Sequence, residues 1–146
     1  MSKIYKKKGV WYFDEYFNYL EKNVNLIPPD IQDFIVDPDR YLFQDEKTLH
    51  DSYLIHFLYK INNRNSKDEL LIKLKGSYDN RIFEFSFKNV IKLEFSSSIK
   101  NFKKVDMVVH QFHILKNGSF QYEFFFVNGQ TIKIVFKDIE IREYFA

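Results

Sequence analysis

The sequence predicts an α+β domain: a six-stranded antiparallel, meander-like sheet with N-terminal helices packed on one of its faces. Three observations carry that reading. The hydrophobic period changes from 3.6 to 2 at about Thr48. Two Asn-Gly pairs, Asn117-Gly118 and Asn128-Gly129, sit between strand-like runs, where tight hairpin turns favour that dipeptide. Aromatic residues make up 19% of the chain, with 17 Phe and 10 Tyr against 4 Gly and 3 Pro, a composition suited to half-buried pleated surfaces. The 146 residues fit one domain, 1–146, helical over 11–35 and strand-rich over 48–144.

The helical part rests on Phe13, Phe17, Leu20 and Val24, which recur at i, i+4, i+7 and i+11 with Tyr16 beside them. Pro28-Pro29-Asp30 blocks continuation and can open a second helix over Ile31 to Ile35, which Asp37-Pro38-Asp39 ends as a turn. The first expected strand, Leu49 to Ile61, puts Tyr53, Ile55, Phe57, Tyr59 and Ile61 on one face. Asn62 to Asp68 is a polar loop, Leu70 to Lys75 the second strand and Gly76 to Asn80 a turn. The third strand, Ile82 to Phe95, aligns Phe83, Phe85 and Phe87, and a loop runs from Ser96 to Lys104. Asp106 to Lys116, Ser119 to Val127 and Gln130 to Phe136 are the last three strands, the tail Ile139 to Tyr144 extending the sixth after a bend.

If each Asn-Gly pair forms a two-residue type I′ turn, residues 115 and 120 share a face, as do 113 and 122, 111 and 124, and 109 and 126. One face then carries Val109, His113, Leu115, Phe120, Tyr122, Phe124 and Phe126. The other carries Val108, Phe112, Ile114, Phe125, Val127, Ile132, Ile134 and Phe136. Two short helices cover one face of such a sheet but hardly both, so the second must curl on itself or meet another chain. The fifth strand is central in the meander, which makes Phe120, Tyr122 and Phe124 the expected partner-binding residues.

Composition excludes several function classes. With 22 basic and 20 acidic residues the net charge is +2, which gives little general attraction to nucleic acid or anionic membrane. Lys6 to Lys8 and Lys103-Lys104 read as solvated ends and loops. There is no cysteine, hence no disulfide and no thiolate metal site. The longest apolar runs are four residues, far below a membrane span, and no apolar stretch of signal-peptide length follows the first lysines. The expected location is the cytoplasm.

Each candidate site has an ordinary counterpart. His50-Asp51-Ser52 contains the three residue types of a hydrolase triad, but on a strand Asp51 points away from the other two, and no nucleophile elbow surrounds Ser52. Local bonding at a strand entry is the expected role. His110 and His113 fall on opposite faces of a strand, which removes the metal reading. Asp30, Asp33, Asp37 and Asp39 lack the spacing of a calcium loop and read as a solvated face. Phe120, Tyr122 and Phe124 with Lys133 nearby could stack on single-stranded nucleic acid, an ordinary core being the favoured reading. No phosphate loop or dinucleotide fingerprint is present, and no cofactor is expected.

The segments Trp11 to Phe17, Leu49 to Ser52 and Lys137 to Ile141, in this order, resemble small bacterial immunity-type proteins of polymorphic or contact-dependent toxin systems. The resemblance spans most of the chain. It implies stoichiometric binding of a cognate toxin domain and offers no catalytic residues to carry over. Composition and resemblance lead to one expectation: a non-catalytic protein-binding domain, an immunity protein whose partner is a toxin domain. The near-neutral charge counts against a strongly basic nuclease partner, which acidic inhibitors usually meet. The alternative is a small-ligand-binding protein or enzyme using a pocket between helix and sheet, with His50 or His113 as polar handle.

Overall fold

The computed structural model describes residues 2–62, 67–96 and 105–145. Residues 63–66 and 97–104, with Lys103 and Lys104, lie outside the described residues. The chain opens with a hairpin of β1 (Tyr5–Lys7) and β2 (Val10–Tyr12), then α1 (Asp14–Lys22) and α2 (Pro29–Val36). Six strands follow: β3 (Tyr53–Lys60), β4 (Asp68–Lys75), β5 (Arg81–Phe95), β6 (Met107–Ile114), β7 (Phe120–Phe126) and β8 (Thr131–Phe145). They form one antiparallel sheet in the order β3-β4-β5-β8-β7-β6. The α+β class and the antiparallel sheet are as the sequence predicts.

Both helices show their causes in the sequence. α1 places Asp14 and Glu15 in its first turn and Lys22 in its last, complementing the helix dipole. α2 starts at Pro29, whose missing N–H costs nothing there, with Asp30 beside it. The buried residues are Tyr16 and Leu20 on α1 and Ile31 and Ile35 on α2. Phe13 and Phe17, expected to lead the stripe, are only half-buried, and Trp11 and Tyr12 belong to β2 rather than to a helix.

Two three-stranded meanders make the sheet, joined by the long β5–β8 pairing from Arg81↔Phe145 to Phe95↔Ile132. The expected sixth strand and its tail are thus one continuous strand. Its neighbour β5 absorbs the irregularity, with a register shift between Val90 and Lys92. β3 begins at Tyr53, not Leu49, and a bulge between Leu54 and His56 breaks the alternation expected there, leaving Ile55 exposed. The sheet curls until its two outer strands touch. Asp51 N–H donates to Met107 O (2.8 Å), Met107 N–H donates to Ser52 O (2.7 Å), and Tyr53 bridges Asp106. The rest of the β6 edge is closed by side chains: Phe112 N–H donates to Tyr16 Oη and Ile114 N–H to Tyr19 Oη, both at 2.8 Å. A helix that covers a strand edge in this way removes a template for unwanted pairing.

The hairpins correct the expected register. Neither Asn-Gly pair forms a two-residue loop. At the first, Leu115 N–H donates to Ser119 O and Ile114 pairs with Phe120, so three residues, Lys116–Gly118, make the turn. At the second, Phe126 N–H donates to Gln130 O and Phe125 pairs with Thr131. There Gly129 has φ +83° while Asn128 is not left-handed, the pattern of a type I turn closed by a glycine bulge. One extra loop residue reverses which residues share a face. Phe120, Tyr122 and Phe124 therefore lie with Phe112, Ile132, Ile134 and Phe136, and all of these are buried. The opposite face carries Gln111, His113, Gln121, Glu123 and Lys133 together with Val109, Phe125 and Val135. Over this region one face is apolar and the other mixed, and Tyr16 of α1, Phe34 of α2 and Tyr41 after α2 pack on the apolar one.

The two-residue turn occurs elsewhere, at Lys8-Gly9 between β1 and β2. Lys7 pairs with Val10, and both central residues have positive φ, 52° and 77°. The basic N-terminal run is thus a hairpin and not a free arm. No helix among the described residues is long and apolar enough to cross a membrane.

Candidate functional site

The expected partner-binding residues are in the core. Tyr122 and Phe124 are buried, stack on each other at 4.7 Å between ring centroids, and meet Phe85 edge-on. Phe120 is buried against Phe112 and Phe136. Their burial corrects the binding-surface expectation and also removes them as stacking platforms for nucleic acid. Lys133, expected beside them, pairs with Glu123 on the opposite face.

Tyr122 instead belongs to a sealed polar chain. His110 Nε2–H donates to Arg40 O (2.8 Å), leaving Nδ1 to accept from Tyr122 Oη–H (2.7 Å). Alongside it, Tyr16 Oη–H donates to Tyr41 Oη (3.0 Å), which donates to Ile35 O (2.7 Å). Burial drives the His110 pKa down to about 3 and raises the hydroxyl pKa values of Tyr16, Tyr41 and Tyr122. These groups stay neutral and satisfy one another, which suits a structural network.

His113 lies on the other face, its Nε2 3.9 Å from Glu123 Oε1, and burial followed by nearby positive charge lowers its pKa to about 4. Strand periodicity separates the two histidines as expected. The reason given against the triad needs correction. Residues 50 and 51 are in a turn, Asp51 has φ 62°, and its Oδ1 comes within 3.4 Å of His50 Nε2. What removes the nucleophile is Ser52: it is fully buried and its Oγ–H donates to Leu49 O at 2.5 Å. His50 Nδ1–H donates to Val108 O (2.8 Å), so its role is to tie the turn to β6. Of the acidic segment, Asp37 caps the turn that follows α2 by accepting from Asp39 N–H.

An open groove of about 680 Å³ lies between the β1–β2 hairpin and the segment after α2, lined by Gly9, Val10, Trp11, Phe13, Asp39, Leu42, Phe43, Gln44 and Asp45. Its far wall is a loop closed at the neck. Leu49 N–H donates to Arg40 O, and the same carbonyl takes the His110 ring nitrogen. Buried Tyr41 roots the loop, and Thr48 N–H donates to Asp45 O at its far side. Compact loops with joined ends are frequent carriers of function.

Electrostatics hold this wall against the sheet. Arg40 reaches both oxygens of Glu143 (2.5 and 3.1 Å), Arg81 reaches the same carboxylate at 2.7 Å, and Arg81 also approaches Glu46 at 3.6 Å. Burial opposes ionisation of Glu143, but hydrogen bonds and charge from Arg40 and Arg81 outweigh it and leave the carboxyl below its usual range. Phe43 stacks on His50 at 3.8 Å and meets Phe13 edge-on at 5.7 Å. From this fixed frame Leu42 at 39% exposure and Phe43 at 37% face outward, and Val10 of β2 at 53% stands across the groove. A rigid frame presenting exposed apolar groups in a concavity is the usual form of a binding site.

Sequence reasoning missed this site. The hydrophobic period puts Trp11 and Phe13 in a helix, and residues 41–47 carry no motif. The available signal was Lys8-Gly9, a glycine-containing pair flanked by the short alternating runs Tyr5–Lys7 and Val10–Tyr12. A smaller cavity of about 510 Å³ does lie between α2 and the sheet, lined by Asp30, Ile31, Lys88 and residues 138–141. Neither His50 nor His113 borders it, so the helix–sheet pocket lacks its expected handles. Comparison with protein-family models and with curated proteins finds no significant match to the chain.

Proposed function

We propose that this chain is a non-catalytic protein-binding domain that seats a segment of its partner in the Trp11 groove. On this reading it acts in the bacterial cytoplasm as an immunity protein, binding a cognate toxin domain one to one and blocking it. The observation that carries the reading is the groove itself: exposed Leu42 and Phe43 on a loop fixed by the Arg40–Glu143–Arg81 cluster, facing exposed Val10 of β2. Exposed apolar groups on a rigid frame meet a partner with little ordering cost. The resemblance of the Trp11–Phe17, Leu49–Ser52 and Lys137–Ile141 segments to immunity-type proteins supplies the partner class.

The test is capture of the partner from the native host by the tagged chain, followed by assay of the captured protein as a toxin with and without added chain. Stoichiometric neutralisation, lost in a Leu42→Ser/Phe43→Ser variant that keeps its melting temperature, is the expected result. A partner held equally well by that variant would remove the groove from the reading. A co-purifying metabolite and no protein would favour the small-ligand alternative.

A further inference from the structure

Resting on the groove as a partner-binding site, we propose that the partner group it seats is a cationic side chain, arginine before lysine, carried on an apolar segment. Charge complementarity selects the cation. Asp39 and Asp45 line the same groove as Trp11, Phe13 and Phe43. The neighbouring acids are already matched: Asp37 to Arg40, Glu46 to Arg81, and Glu143 to both arginines. Asp39 and Asp45 have no ion pair among the described residues, and Asp45 Oδ1 takes only the Lys47 backbone N–H, at 2.8 Å. The Lys6 ammonium stands over the Trp11 ring, 5.7 Å from its centre, and forms no ion pair with Asp39 or Asp45.

The groove therefore offers two carboxylates without an ion pair among the described residues, on half-buried residues beside aromatic rings. A cation gains from both, through charge-assisted hydrogen bonds to carboxylate oxygens and attraction to ring faces. Arginine fits better because its planar guanidinium can stack on a ring while it donates to a carboxylate. An acidic segment would meet Asp39 and Asp45 with like charge. The complementarity is local and is consistent with a near-neutral chain.

Trp11 is the only tryptophan, so its fluorescence reports the groove directly. The probes are acetyl-Leu-Arg-Leu-amide and its Glu and norleucine counterparts, each titrated at low salt into the full chain and into an Asp39→Asn/Asp45→Asn variant of unchanged circular dichroism. The expected result is a saturable Trp11 response to the Arg peptide, at least about tenfold tighter than to either counterpart. It should weaken with salt and fall to the norleucine level in the double variant. Equal binding of the three peptides, Arg-peptide binding unaffected in the double variant, or no response to the Arg peptide each overturns the cation assignment. The groove reading is judged separately by partner capture. Capture that depends on Leu42 and Phe43 but not on Asp39 and Asp45 sinks the cation and leaves the groove.

Discussion

Two clusters of aromatic side chains sit on opposite sides of the same wall and do different work. Phe120, Tyr122 and Phe124 on β7 are sealed under α1 and the segment after α2. Trp11, Phe13 and Phe43 line an open groove on the outer side of that segment. Residue type does not separate them, since both are aromatic and both lie near charged or polar groups. What separates them is closure. The β7 cluster has its polar atoms satisfied from within, Tyr122 by His110, whereas the two carboxylates beside the groove cluster have no ion pair among the described residues. Unmatched polar groups at an apolar concavity distinguish a surface made for contact from one made for packing.

The strongest way to break this comparison is to cut the sealed cluster. Phe124→Ala and Tyr122→Ala should each destabilise the chain by roughly 3–5 kcal/mol, the range for large aromatic truncations in a core. Tyr122→Ala also strips His110 Nδ1 of its donor. Urea denaturation measures this directly. A loss below about 1 kcal/mol for both would mean that the β7 face is a surface after all.

Acid should act on the sealed side as well. The folded pKa of His110, about 3, lies below the unfolded value, because burial disfavours the charged ring. Above about pH 6.5 both states are neutral there and stability is full. As the pH falls from 6.5 towards 3 the unfolded state takes up a proton that the folded state refuses, and stability is lost at up to about 1.4 kcal/mol per pH unit. His113 adds in the same direction through its own lowered pKa. Between pH 6.5 and 4.5 the His110 part amounts to about 2–3 kcal/mol. A His110→Gln variant, measured across the same range, should show a shallower slope. An unchanged slope would mean that His110 is not the group responsible.

The Arg40–Glu143–Arg81 cluster is the latch that holds the groove wall on the sheet. Glu143→Gln should cost about 1–2 kcal/mol, because nearly buried Arg81 loses its main counterion while Arg40 keeps Asp37. The loss should be greater for Glu143→Gln than for Glu46→Gln, whose carboxylate is exposed and more distant from Arg81, at 3.6 Å. Thermal melts of the two variants rank them, and the reverse order would relocate the latch to Glu46.

How much of this was legible in sequence follows from where the information resides. The change of period at Thr48, the Pro28-Pro29-Asp30 break and the alternation of Phe83, Phe85 and Phe87 are local patterns, and the elements they imply are present. Register is not local in the same sense. Asn117-Gly118 marks a turn correctly, but whether Lys116 joins the loop is settled by cross-strand packing, and that one residue decided which face of the sheet carries Tyr122. The groove was least legible. It joins residues 9–13 to residues 39–45, and the contacts that hold its loop wall on the sheet, His110 to Arg40 and Arg40 to Glu143, span 70 and 103 residues.

The smallest expected effect is the one that most sharpens the comparison. Leu42 stands at the groove wall, in the loop between Arg40 and Leu49, with 39% of its surface exposed. Its backbone N–H donates to Pro38 O, a bond that serine in its place retains. Replacing the side chain removes little buried area, and its neighbour Phe43 keeps its stacking on His50 and its edge contact with Phe13. Leu42→Ser should therefore change stability by no more than about 0.5–1 kcal/mol, as substitutions at exposed sites usually do. If the groove is a contact surface, the same variant should weaken partner binding by about tenfold or more, the scale at which an interface residue counts as energetically significant. Phe124→Ala should show the reverse profile, with stability lost and any residual binding by the folded fraction unchanged. Measuring stability and binding on both variants places each cluster on its own axis. If Leu42→Ser were to lose several kcal/mol of stability while binding held, the loop would be part of the core and the groove only a seam in its packing.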